Sequence, residues 1–194
     1  MNEKIKAKKI VAIIPARGGS QRLKRKNIFP LWGKPLIYWA IDACHKSHYI
    51  DEVWVSSEDE EIIDISEEFK ALIHRREPKL ANAAVYKMKA VRSAAMHIEK
   101  IATRPIDIFI SLQANSPEIT SDILDRAIET FEHYERDELI SVDLNLMQNA
   151  AFRILRGNNV YQTELSTKCG VFMCELTDVH TKQDIDFLEA KIKM

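Results

Sequence analysis

Two hydrophobic patterns alternate along this chain. Short apolar runs are typical of strands buried inside a sheet, whereas apolar residues spaced i, i+3, i+4, i+7 are typical of amphipathic helices. The runs predict strands at 10–14, 52–56, 72–74, 106–112, 139–142 and 171–174, and the helical spacing predicts helices over 36–43, 62–69, 85–99, 124–131 and 181–193. Strands that alternate with helices form βαβ units. The sequence therefore predicts an α/β fold of three layers, a mainly parallel twisted sheet with helices on both faces, as in Rossmann-like proteins.

Polar residues and prolines mark where several of these elements begin. Pro35 suits the first turn of a helix because its fixed φ is already helical. Ser57 and Glu60 have the spacing of a capping box, and Thr181 with Asp184 reads as an N-cap and an acidic first turn. No repeat or low-complexity linker interrupts the chain, so we predict a single domain over 1–194.

The composition is that of an ordinary globular protein. Of 194 residues, 46% are hydrophobic and 29% charged, and the net charge is −1. This balance argues against a nucleic-acid or membrane-surface partner. The first residues lack the apolar core of a secretory signal, and three cysteines at these spacings suggest no disulfide framework. We therefore expect a cytoplasmic protein.

The most informative stretch runs from 10 to 27 and reads IVAIIPARGGSQRLKRKN. Its apolar run predicts a strand buried on both faces, and Pro15 ends it. Gly18 and Gly19 then allow the backbone to approach a ligand closely. Arginines and lysines surround this loop, at 17, 22, 24, 25 and 26. A glycine turn ringed by cations at the end of a buried strand is suited to hold phosphates, although the spacing is neither that of a Walker A loop nor that of a dinucleotide fingerprint.

The segment IPARGGSQRLKRKNI resembles the N-terminal motif of the acylneuraminate cytidylyltransferases, with Gln21 where that family usually has lysine. The related CMP-pseudaminate, CMP-legionaminate and CMP-octulosonate synthetases belong to the same group. The resemblance implies a nucleotidyltransferase fold and transfer of CMP from CTP to a nonulosonic or octulosonic sugar acid, with release of pyrophosphate. It also implies that the nucleotide-binding residues are Ala16, Arg17, Gly18, Gly19, Ser20, Arg22, Lys26, Asn27, Arg76 and Asn82. Arg17 and Lys26 would act catalytically by neutralising the phosphates.

Loops after later predicted strands extend the resemblance. HRREPKLA is similar to the family's Arg-Pro-x-x-Leu-Ala segment, which places Arg76 at the nucleotide. The family then has an aspartate where this chain has Ala83. LQANSP is similar to Leu-Gln-Pro-Thr-Ser-Pro, which implies that Gln113, Asn115 and Ser116 bind substrate and that Gln113 takes part in catalysis.

A further segment, DVHTKQD, is similar to the family's Asp-x-Asp-Thr-x-x-Asp. Its first two aspartates hold a divalent metal, so the resemblance implies that Asp178 is a catalytic ligand of Mg²⁺, with Mn²⁺ as an alternative. Carboxylates suit Mg²⁺ because it is a hard ion. His180 stands at the second metal position, where it would be a poor Mg²⁺ ligand.

The family carries a dimerisation and sugar-site segment that is short in this chain, at about 143–169. A homodimer is still expected from the resemblance. Arg153, Arg156 and Lys168 are candidates to contact a substrate carboxylate. Two alternatives stay open. One is a sugar-1-phosphate nucleotidyltransferase, and the other is a nucleotide-binding homologue with impaired catalysis, which His180, Ala83 and the short segment favour.

Overall fold

The computed structural model describes residues 2–82 and 86–192. Ala83, Val85 and Lys193, which enter the predictions above, lie outside the described residues. The α-helices are α1 (Glu3–Lys6), α2 (Leu36–Lys46), α3 (Glu60–Glu68), α4 (Lys87–Ile101), α5 (Ser121–His133) and α6 (Lys182–Ile192). The strands are β1 (Ile10–Pro15), β2 (Pro30–Leu31), β3 (Lys34–Pro35), β4 (Glu52–Ser57), β5 (Leu72–Arg75), β6 (Ile108–Leu112), β7 (Glu138–Val142), β8 (Gln148–Arg156) and β9 (Cys169–Met173). Short 3₁₀ helices cover Lys26–Ile28, Pro78–Leu80 and Gly157–Tyr161.

A seven-stranded sheet in the order β5-β4-β1-β6-β8-β7-β9 forms the centre of the molecule. Within the described chain β8 alone runs against the other strands of this sheet, and it pairs antiparallel with both β6 and β7. The predicted mainly parallel sheet is thus confirmed. The sequence patterns did not predict β8, and the strand predicted from Ile106 begins at Ile108.

Alternate residues of β1 enter two hydrophobic clusters on opposite faces of the sheet, because side chains along a strand alternate in direction. Ile10, Ala12 and Ile14 pack with α2 and α5 on one face. Val11 and Ile13 pack with α4 on the other. The sheet is therefore covered on both sides, which confirms the predicted three layers.

A smaller cluster fixes α6 against the start of the chain. Val179, Ile185 and Leu188 are buried with Leu23, Leu31 and Leu36. This packing holds the segment before α6 next to the loop that follows β1. In the part of the chain that the structure describes, no helix is both long and apolar enough to cross a membrane.

The start of α3 corrects one prediction. Its N-cap is Asp59, whose side chain accepts a hydrogen bond from the Ile62 amide, so Ser57 and Glu60 do not form the predicted capping box. Ser57 is still part of β4, and its hydroxyl accepts a hydrogen bond from the Asp59 amide instead. Before α6, Thr181 and Asp184 do cap each other, since each side chain accepts from the other's amide.

Candidate functional site

A cleft of about 650 Å³ opens at the carboxyl ends of the parallel strands. This is the edge at which α/β sheets bind ligands, and the volume lies in the range of small-molecule sites. The residues that line it come from the loop after β1, the segment after β5, the start of α4, the end of β6, β8, and the segment before α6. They are Pro15, Arg17, Ser20, Gln21, Arg22, Leu23, Lys26, Asn27, Arg76, Leu80, Asn82, Tyr86, Lys87, Met88, Ala90, Gln113, Asn115, Gln148, Ala150, Phe152, Arg153 and His180.

Most residues predicted to bind nucleotide or substrate meet in this cleft. Its walls include Arg17, Ser20, Arg22, Lys26, Asn27, Arg76, Asn82, Gln113, Asn115 and His180. Ala16 and Ser116 are instead buried beneath it. Three further predicted residues do not line the cleft either, namely Gly18, Gly19 and Asp178. The structure thus brings most of the predicted residues together around one cleft, where some line the open space and others do not.

The loop after β1 is tied to the end of β4 by Glu58. The Glu58 carboxylate accepts a hydrogen bond from the Gly18 amide at 2.9 Å, and it forms an ion pair with the Arg76 guanidinium. The Arg76 side chain is 4% exposed, and its guanidinium also donates to the Ala16 carbonyl at 3.2 Å. Arg76 therefore joins three segments of the cleft wall through one planar group.

Two further contacts fix the shape of this loop. A Cβ atom added at Gly18 would lie 2.1 Å from Asp59 Oδ2, whereas one at Gly19 would meet nothing within 4 Å. Asp59 is itself held by Arg25, whose Nη1 donates to it at 2.8 Å. Asn27 is buried, and its Nδ2 donates to the Arg17 carbonyl at 2.9 Å. Gly18 is therefore needed for close packing, and Asn27 orients the backbone beside Arg17.

On the other side of the cleft, a chain of hydrogen bonds links Arg22 to Asp178. Arg22 Nη2 lies 3.0 Å from His180 Nδ1, and His180 Nε2 lies 2.9 Å from Asp178 Oδ2. An arginine can only donate, so Nδ1 accepts and Nε2 carries the proton in this arrangement. Asn115 Nδ2 donates to the second oxygen of Asp178 and, at 2.9 Å, to the Val179 carbonyl. Asp178 is thus oriented from both sides.

Asp178 and His180, which stand at the family's two metal positions, are both held by hydrogen bonds to neighbouring side chains. Asp178 is a suitable oxygen ligand for Mg²⁺, but both of its oxygens accept hydrogen bonds from neighbours. The acceptor nitrogen of His180 faces Arg22. Across the described residues, no three His, Cys, Asp or Glu side chains are grouped so that they could hold a metal ion.

Burial strongly affects the charged groups here. It lowers the pKa of Lys87 to about 8, although Asp178 opposes that shift. It also lowers the pKa of Lys26, again against the effect of Asp178. The pKa of the Asp178 carboxyl is raised by burial, and His180 and Lys26 oppose that rise. The cleft is therefore poorly hydrated around these groups, which strengthens their attraction for an anionic ligand.

The sequence predictions missed two charged residues of the site, Lys87 and Glu58. Lys87 Nζ reaches the Ala150 carbonyl of β8 at 3.5 Å. A signal was present, since Lys87 stands four residues before Val91 and seven before Ala94, on the apolar stripe of α4. Glu58 follows β4 directly, at the edge of the sheet where ligands bind. Of the candidates for a substrate carboxylate, Arg153 lines the cleft, whereas Arg156 pairs with Glu132 away from it and Lys168 does not line it.

Relatives of known name match most of this chain. The model of a family described as cytidylyltransferase matches residues 11–173. A pseudaminic acid cytidylyltransferase from Campylobacter jejuni is 34% identical over 154 residues, which are 79% of this chain and 66% of that protein. The N-acylneuraminate cytidylyltransferase A of Danio rerio is 33% identical over 137 residues, 71% of this chain and 31% of that protein. The chain thus spans just under two thirds of the bacterial relative and about a third of the fish one.

Solved structures agree in fold. A synthetase for CMP-2-keto-3-deoxy-manno-octonic acid, solved in a complex with CTP, has a TM-score of 0.73 at 16% identity, over 95% of this chain and 98% of that one. A cytidylyltransferase from Leptospira borgpetersenii has a TM-score of 0.74 at 19% identity, over 96% of this chain and 87% of that one. At these identities the structures support the fold, and the match over 11–173 identifies the family. The chain belongs to the cytidylyltransferase family, as the loop after its first strand predicted.

Proposed function

We propose that this protein transfers CMP from CTP to the anomeric hydroxyl of a sialic-acid-like sugar acid and releases pyrophosphate. The observation that carries the proposal is a cationic cleft at the carboxyl ends of the strands, built on the loop that runs from Pro15 to Asn27. Membership of the cytidylyltransferase family supports CTP as the nucleotide, and the names of the relatives support a sugar acid as the acceptor.

In the proposed reaction the sugar hydroxyl oxygen attacks the α-phosphorus of CTP in line. A bond forms between these two atoms, the bond from the α-phosphorus to the bridging oxygen breaks, and the hydroxyl proton is released. Pyrophosphate leaves with the bridging oxygen. Such transfers depend mainly on positioning and on neutralising charge. Arg17, Arg22 and Lys26 are placed to attract the phosphates, and their charges oppose the charge that develops on the leaving group.

Neutral polar groups and one further cation suit the acceptor. Gln113 and Asn115 line the cleft at the end of β6, where their amides can bind hydroxyl groups. Arg153 projects from β8 into the same space. Its Nη1 lies 3.3 Å from the Tyr86 hydroxyl, and its Nε lies 2.5 Å from Glu138 Oε1 in a geometry too bent for a hydrogen bond. We assign Arg153 to the carboxylate of the sugar acid.

Three further properties extend the proposal. The requirement for Mg²⁺ or Mn²⁺ stays a prediction. A cytoplasmic location follows from the precursors that such a reaction needs. A homodimer is supported by exposed apolar side chains on β9 and on the hairpin that precedes β8.

Pyrophosphate release tests the proposal directly. The protein is assayed with each of the four nucleoside triphosphates and with sialic, legionaminic, pseudaminic and octulosonic acids, in Mg²⁺ and in Mn²⁺. We expect release that requires CTP together with one of the acids. Arg17→Ala removes a cation that lines the cleft, and Lys24→Ala removes an exposed one in the same loop that does not line it.

The two variants give the assay its contrast. Activity should fall by about a hundredfold or more in Arg17→Ala, because the half-buried Arg17 lines the cleft and would lose a charge-assisted contact to a phosphate. It should persist in Lys24→Ala. CTP binding without release for any acid would contradict the proposed reaction. It would favour a nucleotide-binding homologue with impaired catalysis.

A further inference from the structure

The cleft walls carry far more positive than negative charge. Six lining residues are lysines or arginines, namely Arg17, Arg22, Lys26, Arg76, Lys87 and Arg153, and no lining residue is an aspartate or glutamate. A pocket of one sign concentrates ligands of the other sign. An anionic ligand of high charge is therefore the natural occupant.

Among the residues that the structure describes, two of these cations have a carboxylate partner. Arg76 pairs with Glu58, and Arg153 lies against Glu138. The other four, Arg17, Arg22, Lys26 and Lys87, form no ion pair within 4 Å with any carboxylate that the structure describes. Lys26 and Lys87 donate instead to the carbonyl oxygens of Val179 and Ala150. Their charges are left to be balanced by a ligand.

The side chain at the second metal position of the family's motif, His180, is hydrogen-bonded on both sides. His180 stands between Asp178 and Arg22, and both of its ring nitrogens have partners. A divalent ion placed at Asp178 would find no second carboxylate, because His180 stands at that position. It would also have to displace the hydrogen-bond donors from both Asp178 oxygens. The electric field of Lys26 and Lys87 would also oppose it.

Lys87 supplies positive charge from the opposite wall of the cleft. It is half-buried at the first residue of α4, and its ammonium interacts electrostatically with both Asp178 and Arg153. The lowered pKa of Lys87 reflects removal from water, but Lys87 remains largely protonated at neutral pH. An ammonium that lines the same cleft as the loop after β1 can neutralise phosphate oxygens without a metal ion.

We propose that Arg17, Arg22, Lys26 and Lys87 neutralise the nucleoside triphosphate directly, so that its binding requires no divalent cation. The inference rests on the proposed function and concerns the binding step. His180 links the Asp178 carboxylate to Arg22 by hydrogen bonds, and Lys87 adds a fourth cation to the cleft lining.

The first test is the dissociation constant of CTP, measured by calorimetry on the whole chain in EDTA and in excess Mg²⁺. We expect the two constants to agree within about threefold, a difference below 1 kcal/mol. Binding that is weakened by more than about threefold in EDTA would overturn the inference. Inorganic tripolyphosphate, tested in EDTA, probes the phosphate site independently of the base, and we expect it to compete with CTP.

The second test compares two lysines on the first turns of α4. Lys87→Met keeps the apolar stem and removes the charge, and we expect CTP binding in EDTA to weaken by about tenfold or more, as is typical of a lost charge-assisted contact. Lys89→Met changes an exposed lysine outside the cleft lining and should leave the affinity within about twofold. Equal affinities for the two variants would overturn the role of Lys87. Should Lys87→Met fail to fold, Lys26→Met gives the same comparison on the loop after β1.

The outcomes separate this inference from the proposed function. If CTP binds only when Mg²⁺ is present, direct neutralisation is wrong while cytidylyl transfer stands. CTP could instead bind equally well in EDTA while pyrophosphate release is absent, or while it occurs without any sugar acid. Either result would show that the transfer reaction is wrong and that the cationic phosphate site stands.

Discussion

The His74 ring lies near the end of β5, two residues before Arg76, which donates to the backbone of the loop after β1. It is 6% exposed, and its Nδ1 lies 2.9 Å from the Ser56 hydroxyl. Burial, together with the nearby positive charge of Arg76 and the neighbouring His97, lowers the pKa of His74 to about 4, and burial is the largest of these causes. The folded protein therefore holds a neutral imidazole at a place where a charged one would be repelled.

This burial predicts a loss of stability in mild acid. A histidine in the unfolded chain has a pKa of about 6.5, so between that pH and about pH 4 the unfolded state binds more protons than the folded state. Stability must therefore fall as the pH drops through this window. We expect His74 alone to cost about 2 kcal/mol between pH 7 and pH 5, measured by urea unfolding at each pH.

Variants make the effect specific to this residue. His74→Asn keeps a polar side chain but cannot titrate, so its stability should decline less between pH 7 and pH 5 than that of the wild type. His133→Asn removes an exposed histidine at the end of α5 and should leave the decline unchanged. An identical pH dependence in wild type and His74→Asn would show that His74 does not cause it.

At the residue scale, the sequence predicted the part of the site that a continuous motif encodes. The loop from Ala16 to Asn27 could be identified because its glycines and cations follow one another along the chain. Glu58 and Lys87 were harder to identify. Their positions after β4 and on the apolar stripe of α4 were weak signals, and the contacts that place them in the site join residues distant in sequence. Gly18 lies 40 residues before Glu58, and Ala150 lies 63 residues after Lys87. Such contacts exist only once the sheet has formed.

At the scale of elements, the contact between the loop after β1 and the start of α3 depends on the absence of a side chain at Gly18. A methyl group there would clash with Asp59, which caps α3 and pairs with Arg25. We expect Gly18→Ala to destabilise the fold by about 1 to 2 kcal/mol, the sum of a weakened cap and local overpacking. Denaturant unfolding measures this loss.

Gly19 provides the matched control, because the space around its Cβ position is open. Gly19→Ala should change stability by less than about 0.5 kcal/mol. Equal losses in the two variants would mean that Asp59 moves aside readily and that the packing at Gly18 is unimportant for stability.

The elements that the sequence predicted least well lie after β7. The strand β8 contains two buried pairs, Ala151 with Phe152 and Ile154 with Leu155, and arginines at 153 and 156. This pattern has neither the alternation of a half-exposed strand nor the unbroken apolar run of a buried one. The arginines are tolerated because Glu138 and Glu132 neutralise them. The parallel strands have simpler patterns, and their mainly parallel arrangement followed from the alternation of strands and helices.

At the scale of the whole molecule, charge and apolar surface are both distributed unevenly. The net charge of −1 conceals the cationic cleft, so overall composition said nothing about an anionic ligand. The side of the sheet beyond β7 carries exposed apolar residues. Val171 and Met173 of the edge strand β9 are each 52% exposed. Leu146 and Met147, in the hairpin between β7 and β8, are each more than 60% exposed.

This apolar edge underlies the prediction of a homodimer. An unpaired strand edge with exposed apolar side chains tends to associate with another chain, and β9 forms one edge of the sheet while β5 forms the other. We expect light scattering after gel filtration to give twice the chain mass of 22.4 kDa. Val171→Glu places a charge on β9 and should shift the population to monomer, whereas Leu72→Glu on β5 should not. A wild-type monomer at every concentration would contradict the dimer. Dissociation by both variants alike would place the contact elsewhere, because the two strands lie at opposite edges of the sheet.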